Sequence, residues 1–500
     1  MFKKILIANR GEIAVRIIRA CRDMEISPVA VYSDADRTSL HVRLADEAHF
    51  VGPARASESY LCVERLLDAG KRSGADAIHP GYGFLAENAA FAQACKDAGL
   101  VFIGPSASSI ERMGSKLESR RIVAAAGVPT IPGSDDAAQD WQAALKAARR
   151  IGFPVMIKAS AGGGGKGMRV ARNKDDLKSS FETARGEAGS AFDDSTIYLE
   201  KYIEKPRHIE VQLLGDRHGG MIFLGERECS IQRRHQKLVE ECPSPAVTPE
   251  LREQLGRAAM AVARAVDYYN AGTVEFLYDA GEEVSVPSFY FLEMNTRLQV
   301  EHPVTEMTVG IDLVREQIRI AAGEKLEWSQ QDVRLQGSAL QCRIYAEDPQ
   351  RDFAPSPGLL ETVFEPSGPG IRNDCGVYAG FEIPLEYDPL ISKLIAHGKD
   401  RSEAIRRMRR ALAEYKIGGV KTTISFFERL LSHPAFEAGD LHTHFIEQHG
   451  ILEGEPESCD EWFPCAAAAI YRFLENESTR PAVAKSEGVR WKTFYRGEWE

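Results

Sequence analysis

Short apolar runs alternating with helical stretches constrain this chain first. KKILIAN reads as a buried strand, and GEIAVRIIRACRDM after it keeps helical periodicity. PVAVYS, ADAIHPG and VFIGPS repeat the strand texture, with stretches such as ENAAFAQACKDAG between them. Strands joined through helices run parallel, because the crossover returns the chain to the same end of the sheet. Residues 1 to about 113 are therefore expected to form a parallel-sheet α/β domain. Beyond them FPVMIKAS, GMRVAR, STIYLEKYI, HIEVQLLGD and GMIFLGERE read as strands with few helices between, one antiparallel layer. ELREQLGRAAMAVARAVDY reads as an amphipathic helix, and GTVEFLYD pairs with SFYFLEMN as a hairpin. From about residue 331, GSALQCRIYAE and GLLETVFE lead to a helix at RSEAIRRMRRALAEY. Residues 451–500 turn acidic and irregular at EGEPESCDEW, then continue as an alanine-rich helix.

The antiparallel layer carries IKASAGGGGKGMRV, residues 157–170, in which glycines surround Lys166. Glycine has no Cβ, so such a loop approaches a ligand with bare backbone. Gly162, Gly164 and Gly167 fit the dinucleotide spacing, but a strand follows where that fingerprint needs a helix. Lys166 is followed by glycine where a Walker loop needs Ser or Thr. A ligand-free glycine hairpin and a phosphate lid thus remain level on this stretch alone.

A net charge of −11 argues against nucleic acid or an anionic membrane as partner. Nine cysteines without a C-x-x-C pair read as reduced thiols, not a zinc site. FKKILIANRG has too short an apolar run for a signal peptide, and no run approaches a membrane span. A soluble cytoplasmic protein is the expectation.

The segment FLEMNTRLQVEHPVTE holds the densest chemistry. With a strand's period of two, Glu293, Asn295, Arg297, Gln299 and Glu301 share one face. A solvated edge strand would also show such a pattern, but EVSVPSFYF leads into it as an apolar strand. Fully extended, Glu293 to Glu301 would span roughly 27 Å, so the chain must bend near Thr296–Arg297 if all five act together. Glu275, between Val274 and Phe276 on the partner strand, is costly to bury unless paired or metal-bound. Glu275, Glu293 and Asn295 offer hard oxygen donors that suit Mg²⁺. Lys116, Lys158 and the run Arg233, Arg234, His235, Lys237 add positive charge. Each alone reads as a surface charge; beside a glycine lid and an oxygen-donor triad they fit phosphate.

NRGEIAVRIIRA, HPGYGFLAEN, KASAGGGGKGMRV, EKYIEKPRHIEVQ, ERECSIQRRHQKLVEE and EMNTRLQVEHPVTE resemble the signature segments of the biotin carboxylase family, in order, over residues 1 to about 447. The resemblance implies a multidomain α/β and α+β fold. It has an N-terminal Rossmann-like parallel sheet (1–113), an ATP-grasp domain (114–330) with a glycine-rich lid at about 131–203, and a mixed β/α C-terminal domain (331–447). Residues 448–500 fall outside it, as a segment expected to contact a partner.

The resemblance also implies roles. Lys116, Lys158, Gly163, Gly164, Gly165, Glu200, Lys201, Ile203, His208, Gln232, His235, Glu275 and Glu293 match ATP-binding positions. Glu275, Glu293 and Asn295 match ligands of Mg²⁺ (or Mn²⁺); Lys237, Arg297, Gln299, Val300 and Glu301 match the bicarbonate site, with Glu301 as base. Tyr82 and Arg343 match the biotin end. The implied activity is ATP-dependent carboxylation of biotin by bicarbonate through carboxyphosphate. The biotin attachment motif around Met-Lys-Met is absent from these 500 residues, so a separate carrier protein is expected, with a carboxyltransferase subunit. Arg16, Arg19 and Arg372 match a dimer patch, although Pro369 replaces its aromatic, and AGEEVSVPS makes the turn between the metal strands longer than usual. A carboxylate–amine ligase of the ATP-grasp class and a nucleotide-binding subunit without catalysis are the competing readings. RLQVEHPVTE with QRRHQK favours bicarbonate, and every matched catalytic position is intact.

Overall fold

Ile5, Leu6 and Ile7 alternate between two cores, which places their strand at the centre of the first sheet. Ile5 and Ile7 pack with Ile13 and Ile17 of the following helix, whereas Leu6 packs with Leu66 and Phe91 on the opposite face. In this computed structural model, which describes residues 1–134, 137–159, 168–192, 195–279, 289–452, 467 and 470–472, the sheet has five parallel strands. Their order is Glu47–Gly52, Ser27–Ser33, Lys4–Ile7, Ala77–His79, Val101–Phe102. The edge strand Glu47–Gly52 is mostly half-exposed, so it lacks the apolar run that reveals its neighbours. Helix Gly11–Asp23 begins where the central strand ends. There the Asn9 amide donates to the carbonyls of Pro80 and Tyr82, at 2.7 Å each. Gly81, at φ +65°, has no room for a side chain: a Cβ would lie 2.9 Å from that amide.

An eight-stranded antiparallel sheet forms the second layer. Its order is Phe289–Asn295, Asn270–Asp279, Pro206–Gly215, Met221–Arg233, Gln236–Cys242, Ser338–Tyr345, Leu390–Gly398, Ile371–Cys375. Pairing of Gln236–Cys242 with Ser338–Tyr345 carries the ladder across residue 330, so residues on both sides of that point share one sheet. Helix Pro249–Arg264 packs on one part of it and helix Arg401–Glu414 on another.

The expectation of one continuous antiparallel layer is corrected here. Met168–Ala171, Val155–Ala159 and Ile197–Lys201 form a separate three-stranded sheet, covered by helices Trp141–Ile151 and Lys174–Phe192. Lys174–Phe192 is a long helix inside a stretch read as nearly all strand. Its buried stripe is Leu177, Phe181, Ala184 and Ala188. The spacing is helical, but half of it is alanine, which contributes little hydrophobic contrast. The glycine loop proper, with Gly163, Gly164 and Gly165, and the turn 280–288 lie outside the described residues, as does most of the alanine-rich stretch.

The chain divides into two units, residues 1–452 and 453–500. Among the described residues no helix is long and apolar enough to cross a membrane.

Candidate functional site

The hairpin between Asn270–Asp279 and Phe289–Asn295 sets Glu275 directly opposite Glu293 and Thr273 opposite Asn295. Facing like charges destabilise a sheet unless something offsets them. Burial pushes the Glu293 carboxyl up, the Glu275 charge pushes it further, and Lys116 and Lys237 oppose both. Burial also raises Glu275, but Lys237 and His208 pull harder and hold it far below the usual carboxylate range. The hairpin thus keeps an ionised carboxylate against one that resists ionisation.

Lys237 holds the centre together. Its ammonium donates to Glu210 (2.6 Å), Glu275 (2.8 Å) and Glu301 (2.8 Å). Burial disfavours its charge, but those three acids hold its pKa well above the ordinary lysine value. Glu275 Oε1 also accepts from Asn295 (2.9 Å) and Gln299 (3.1 Å), and its Oε2 lies 2.9 Å from His208 Nε2. Gln232 Nε2 lies 2.9 Å from the other ring nitrogen of His208.

The bend required of the polar row is present. The strand stops at Asn295, and Glu301 stands at the residue just before the helix His302–Val309. Glu87 pins the bend from the parallel-sheet side, accepting from the Thr296 backbone (3.0 Å) and Arg297 Nε (2.8 Å). Arg297 also donates to Gln299 and Asn295. Glu301 is fully buried; burial raises its carboxyl, but Lys237, Arg343 and Arg227 outweigh that and hold it well below the usual range.

A cleft of about 730 Å³ opens beside these groups; Glu301 lies buried behind its wall, next to the lining residues Lys237 and Arg343. Lys116, Lys158, His208, Gln232 and His235 line one part of it, with Lys237, Glu275, Glu293 and Asn295. Arg297, Gln299, Val300, Arg343 and Tyr82 also line it. His235 sits in the two-residue turn between Met221–Arg233 and Gln236–Cys242, where both Arg234 (φ +49°) and His235 (φ +67°) are left-handed. Twist-matched hairpins need that geometry, normally at glycine or asparagine, and here it aims an imidazole into the cleft.

Three expected nucleotide positions lie off the cleft wall. Glu200 is tied up in ion pairs with Arg120 and Lys158. Lys201 donates to the carbonyls of Gly152 (3.1 Å) and Phe153 (3.0 Å). Ile203 follows the strand Ile197–Lys201 at the edge of the small sheet.

Sequence reasoning missed Glu87, Glu210, Arg227 and Glu240. Glu210 was legible, since it shares a strand face with His208 in HIEVQ. Glu87 and Arg227 became visible only through long-range packing. Arg227 is wholly buried and bonds Glu210, Gln212 (2.8 Å), Thr305 (3.0 Å) and Thr273 (3.1 Å). Arg227→Leu leaves that cluster short of a positive charge and should destabilise the fold by about 3 kcal/mol or more, measured by urea unfolding.

For a divalent cation, the opposed Glu275 and Glu293 with Asn295 present the hard oxygens that Mg²⁺ prefers. A cation there would relieve the like-charge pair described above. His208, Glu210 and Glu275 also converge, as do Glu210, Cys229 and Glu301, but the histidine and thiol are softer donors.

Comparison with known proteins fits this geometry. Residues 1–110 match the family described as biotin carboxylase, N-terminal domain, and residues 341–448 its C-terminal domain. Residues 115–329 match the carbamoyl-phosphate synthase L chain, ATP binding domain. Biotin carboxylase 1 of Bacillus subtilis is 52% identical over 452 residues, 90% of this chain and 100% of that protein. The biotin carboxylase domain of Hydrogenobacter thermophilus 2-oxoglutarate carboxylase, a dimer solved with MgADP, ADP and bicarbonate, superposes with a TM-score of 0.86. It is 49% identical and covers 91% of this chain and 100% of that one. The methylcrotonoyl-CoA carboxylase subunit alpha of Arabidopsis thaliana is 49% identical over 500 residues, 99% of this chain and 67% of that protein. The stretch 448–500, left outside the biotin carboxylase resemblance, falls within the region aligned to that relative. Fold and site together define an ATP-grasp ligase. The chain belongs to the biotin carboxylase family.

Proposed function

We propose that this protein carboxylates biotin with bicarbonate and ATP, and that the residues gathered around Lys237 divide the work. The observation that carries this reading is the single ammonium bridging Glu275, on the side of the opposed carboxylates, to Glu301, the buried base. Mg²⁺ (or Mn²⁺), held by Glu275, Glu293 and Asn295, would offset charge on the phosphates. Lys116 and Lys158 add positive charge on that wall of the cleft, with His208, Gln232 and His235 beside them. Glu200, Lys201 and Ile203 mark the nucleotide's outer edge, and Gly163, Gly164 and Gly165 supply the lid.

Arg297, Gln299, Lys237 and the Val300 backbone hold bicarbonate, and Glu301 takes its proton. Glu301 ionised but clamped by Lys237 is a weak base; an anion that draws Lys237 toward itself loosens that clamp and strengthens it. The carbonate oxygen then attacks the γ-phosphoryl group, giving carboxyphosphate and ADP. Arg343 meets negative charge developing on the ureido oxygen of biotin, and Tyr82 borders that end of the cleft.

The acceptor is biotin on a carrier protein, and a carboxyltransferase takes the carboxyl group onward. Similar proteins include a pyruvate carboxylase subunit, a 2-oxoglutarate carboxylase domain and a methylcrotonoyl-CoA carboxylase subunit, so the final acceptor belongs to the acyl-CoAs or the 2-oxo acids. A homodimer through the face near Arg16, Arg19 and Arg372 is supported by the dimeric relative, and Arg19 is exposed there. Arg16 and Arg372 are engaged within the chain by Glu306. A cytoplasmic setting is supported by seven described cysteines that are all unpaired.

Bicarbonate-dependent ADP release that rises with free biotin tests the reading. Equal release without bicarbonate would favour the carboxylate–amine ligase instead. Removal of residues 453–500 is expected to leave free-biotin carboxylation intact and to weaken assembly with partner subunits. Loss of free-biotin turnover in a folded truncation would contradict that role.

A further inference from the structure

Arg343 is held by two buried carboxylates, of which only Glu301 has a place in the reaction as proposed. Glu240 is the other. Its Oε1 lies 2.5 Å from both Nε and Nη2 of Arg343, while Glu301 Oε2 lies 3.1 Å from the same Nη2. Both acids are fully buried, whereas Arg343 reaches the cleft. Strand register explains the arrangement. Glu240 pairs with Gln341, and paired residues share a sheet face with residues two along, so Glu240 stands on the face that carries Arg343. Gln341 donates to the second oxygen of Glu240 at 3.0 Å, fixing the carboxylate from behind.

We propose that Glu240 is a positioning residue that sets when Arg343 is free to serve biotin. This rests on the roles given above to Glu301 and Arg343. Before bicarbonate is deprotonated, Glu301 and Glu240 share the guanidinium. When the O–H bond of bicarbonate breaks and its proton bonds to Glu301, that carboxylate becomes neutral and its hold on Nη2 weakens. Glu240 keeps Arg343 by the Nε edge, so Nη2 is released while the group stays anchored. The proton transfer that activates bicarbonate thereby prepares the group needed for biotin.

The charges around Glu240 agree with this order. It is surrounded by Arg343, Glu301, Lys237, Cys229 and Cys342. Burial raises its carboxyl most, Arg343 lowers it and the Glu301 charge raises it again, for a net position of about 7. Neutralising Glu301 removes that last contribution and favours the ionised Glu240 at the moment it must hold Arg343 alone.

The test uses the full chain with Glu240→Gln and Glu240→Asp. It measures bicarbonate-dependent ADP release without biotin, and carboxybiotin formation across free-biotin concentrations. Misplacing a catalytic group through its supporting partner typically costs about 10–100-fold, so Glu240→Gln should lose that much kcat for biotin with ADP release within about threefold of the parent. Glu240→Asp keeps the charge and should recover part of the loss. Parental carboxylation in Glu240→Gln, or equal loss of both activities, would overturn the proposal. Should circular dichroism show Glu240→Gln unfolded, Glu240→Asp decides alone: a loss confined to carboxylation supports the role, and equal losses or none overturn it. Arg343→Ser run alongside separates the two layers. If it carboxylates biotin normally, the role of Arg343 falls, whatever Glu240 does.

Discussion

Glu301→Gln is expected to lower bicarbonate-dependent ATP cleavage and biotin carboxylation together, each by about 10²–10⁴-fold, the usual worth of a placed general base. The amide matches the carboxylate in shape but cannot accept the bicarbonate proton. Both activities fall because deprotonation precedes phosphoryl transfer, which precedes everything at biotin. Lys237 and Arg343, each within 3.1 Å of Glu301, lose a charged partner but keep Glu210, Glu275 and Glu240. The fold should therefore survive, and circular dichroism before the assay checks it. ATP cleavage at the parental rate would show that Glu301 is not the base.

Arg343→Ser should divide the two activities. Arg343 acts on charge that appears only at biotin, so ADP release in the presence of bicarbonate should stay near the parental level. Carboxybiotin formation should fall by about 10²–10³-fold, the usual loss when one donor to a developing oxyanion is removed. Parallel assays of ADP and carboxybiotin check the split. Equal losses in both would place Arg343 in the first half of the reaction.

How much of this was legible in the sequence depended on the range of the interaction. Alternation of side chains, a local property, put Glu293 and Asn295 on one face, set Glu275 on the partner strand of a hairpin and required a bend near Thr296–Arg297, whereas the register that sets Glu275 opposite Glu293 came from the structure. The central strand of the parallel sheet was equally plain, because Ile5, Leu6 and Ile7 are apolar on both faces. Helix Lys174–Phe192 was lost because its stripe is half alanine, and the separate three-stranded sheet was merged with the larger one because strand texture carries no partner information. Glu87 lies more than two hundred positions from Arg297, and no local pattern marks that pair. Glu240 was passed over in LVEEC for a similar reason, since its importance comes from Arg343 on a strand a hundred residues later. The motif resemblance named Arg343 and Glu301 but gave no role to Glu240, the second acid that holds Arg343.

Bicarbonate is expected to attack ATP directly, before biotin is carboxylated. Bicarbonate labelled with ¹⁸O, supplied with ATP, Mg²⁺ and free biotin, tests it through mass analysis of the phosphate released. Attack by a bicarbonate oxygen leaves that oxygen on phosphorus when carboxyphosphate breaks down, so each phosphate should carry one labelled atom. Unlabelled phosphate formed alongside carboxybiotin would contradict the account.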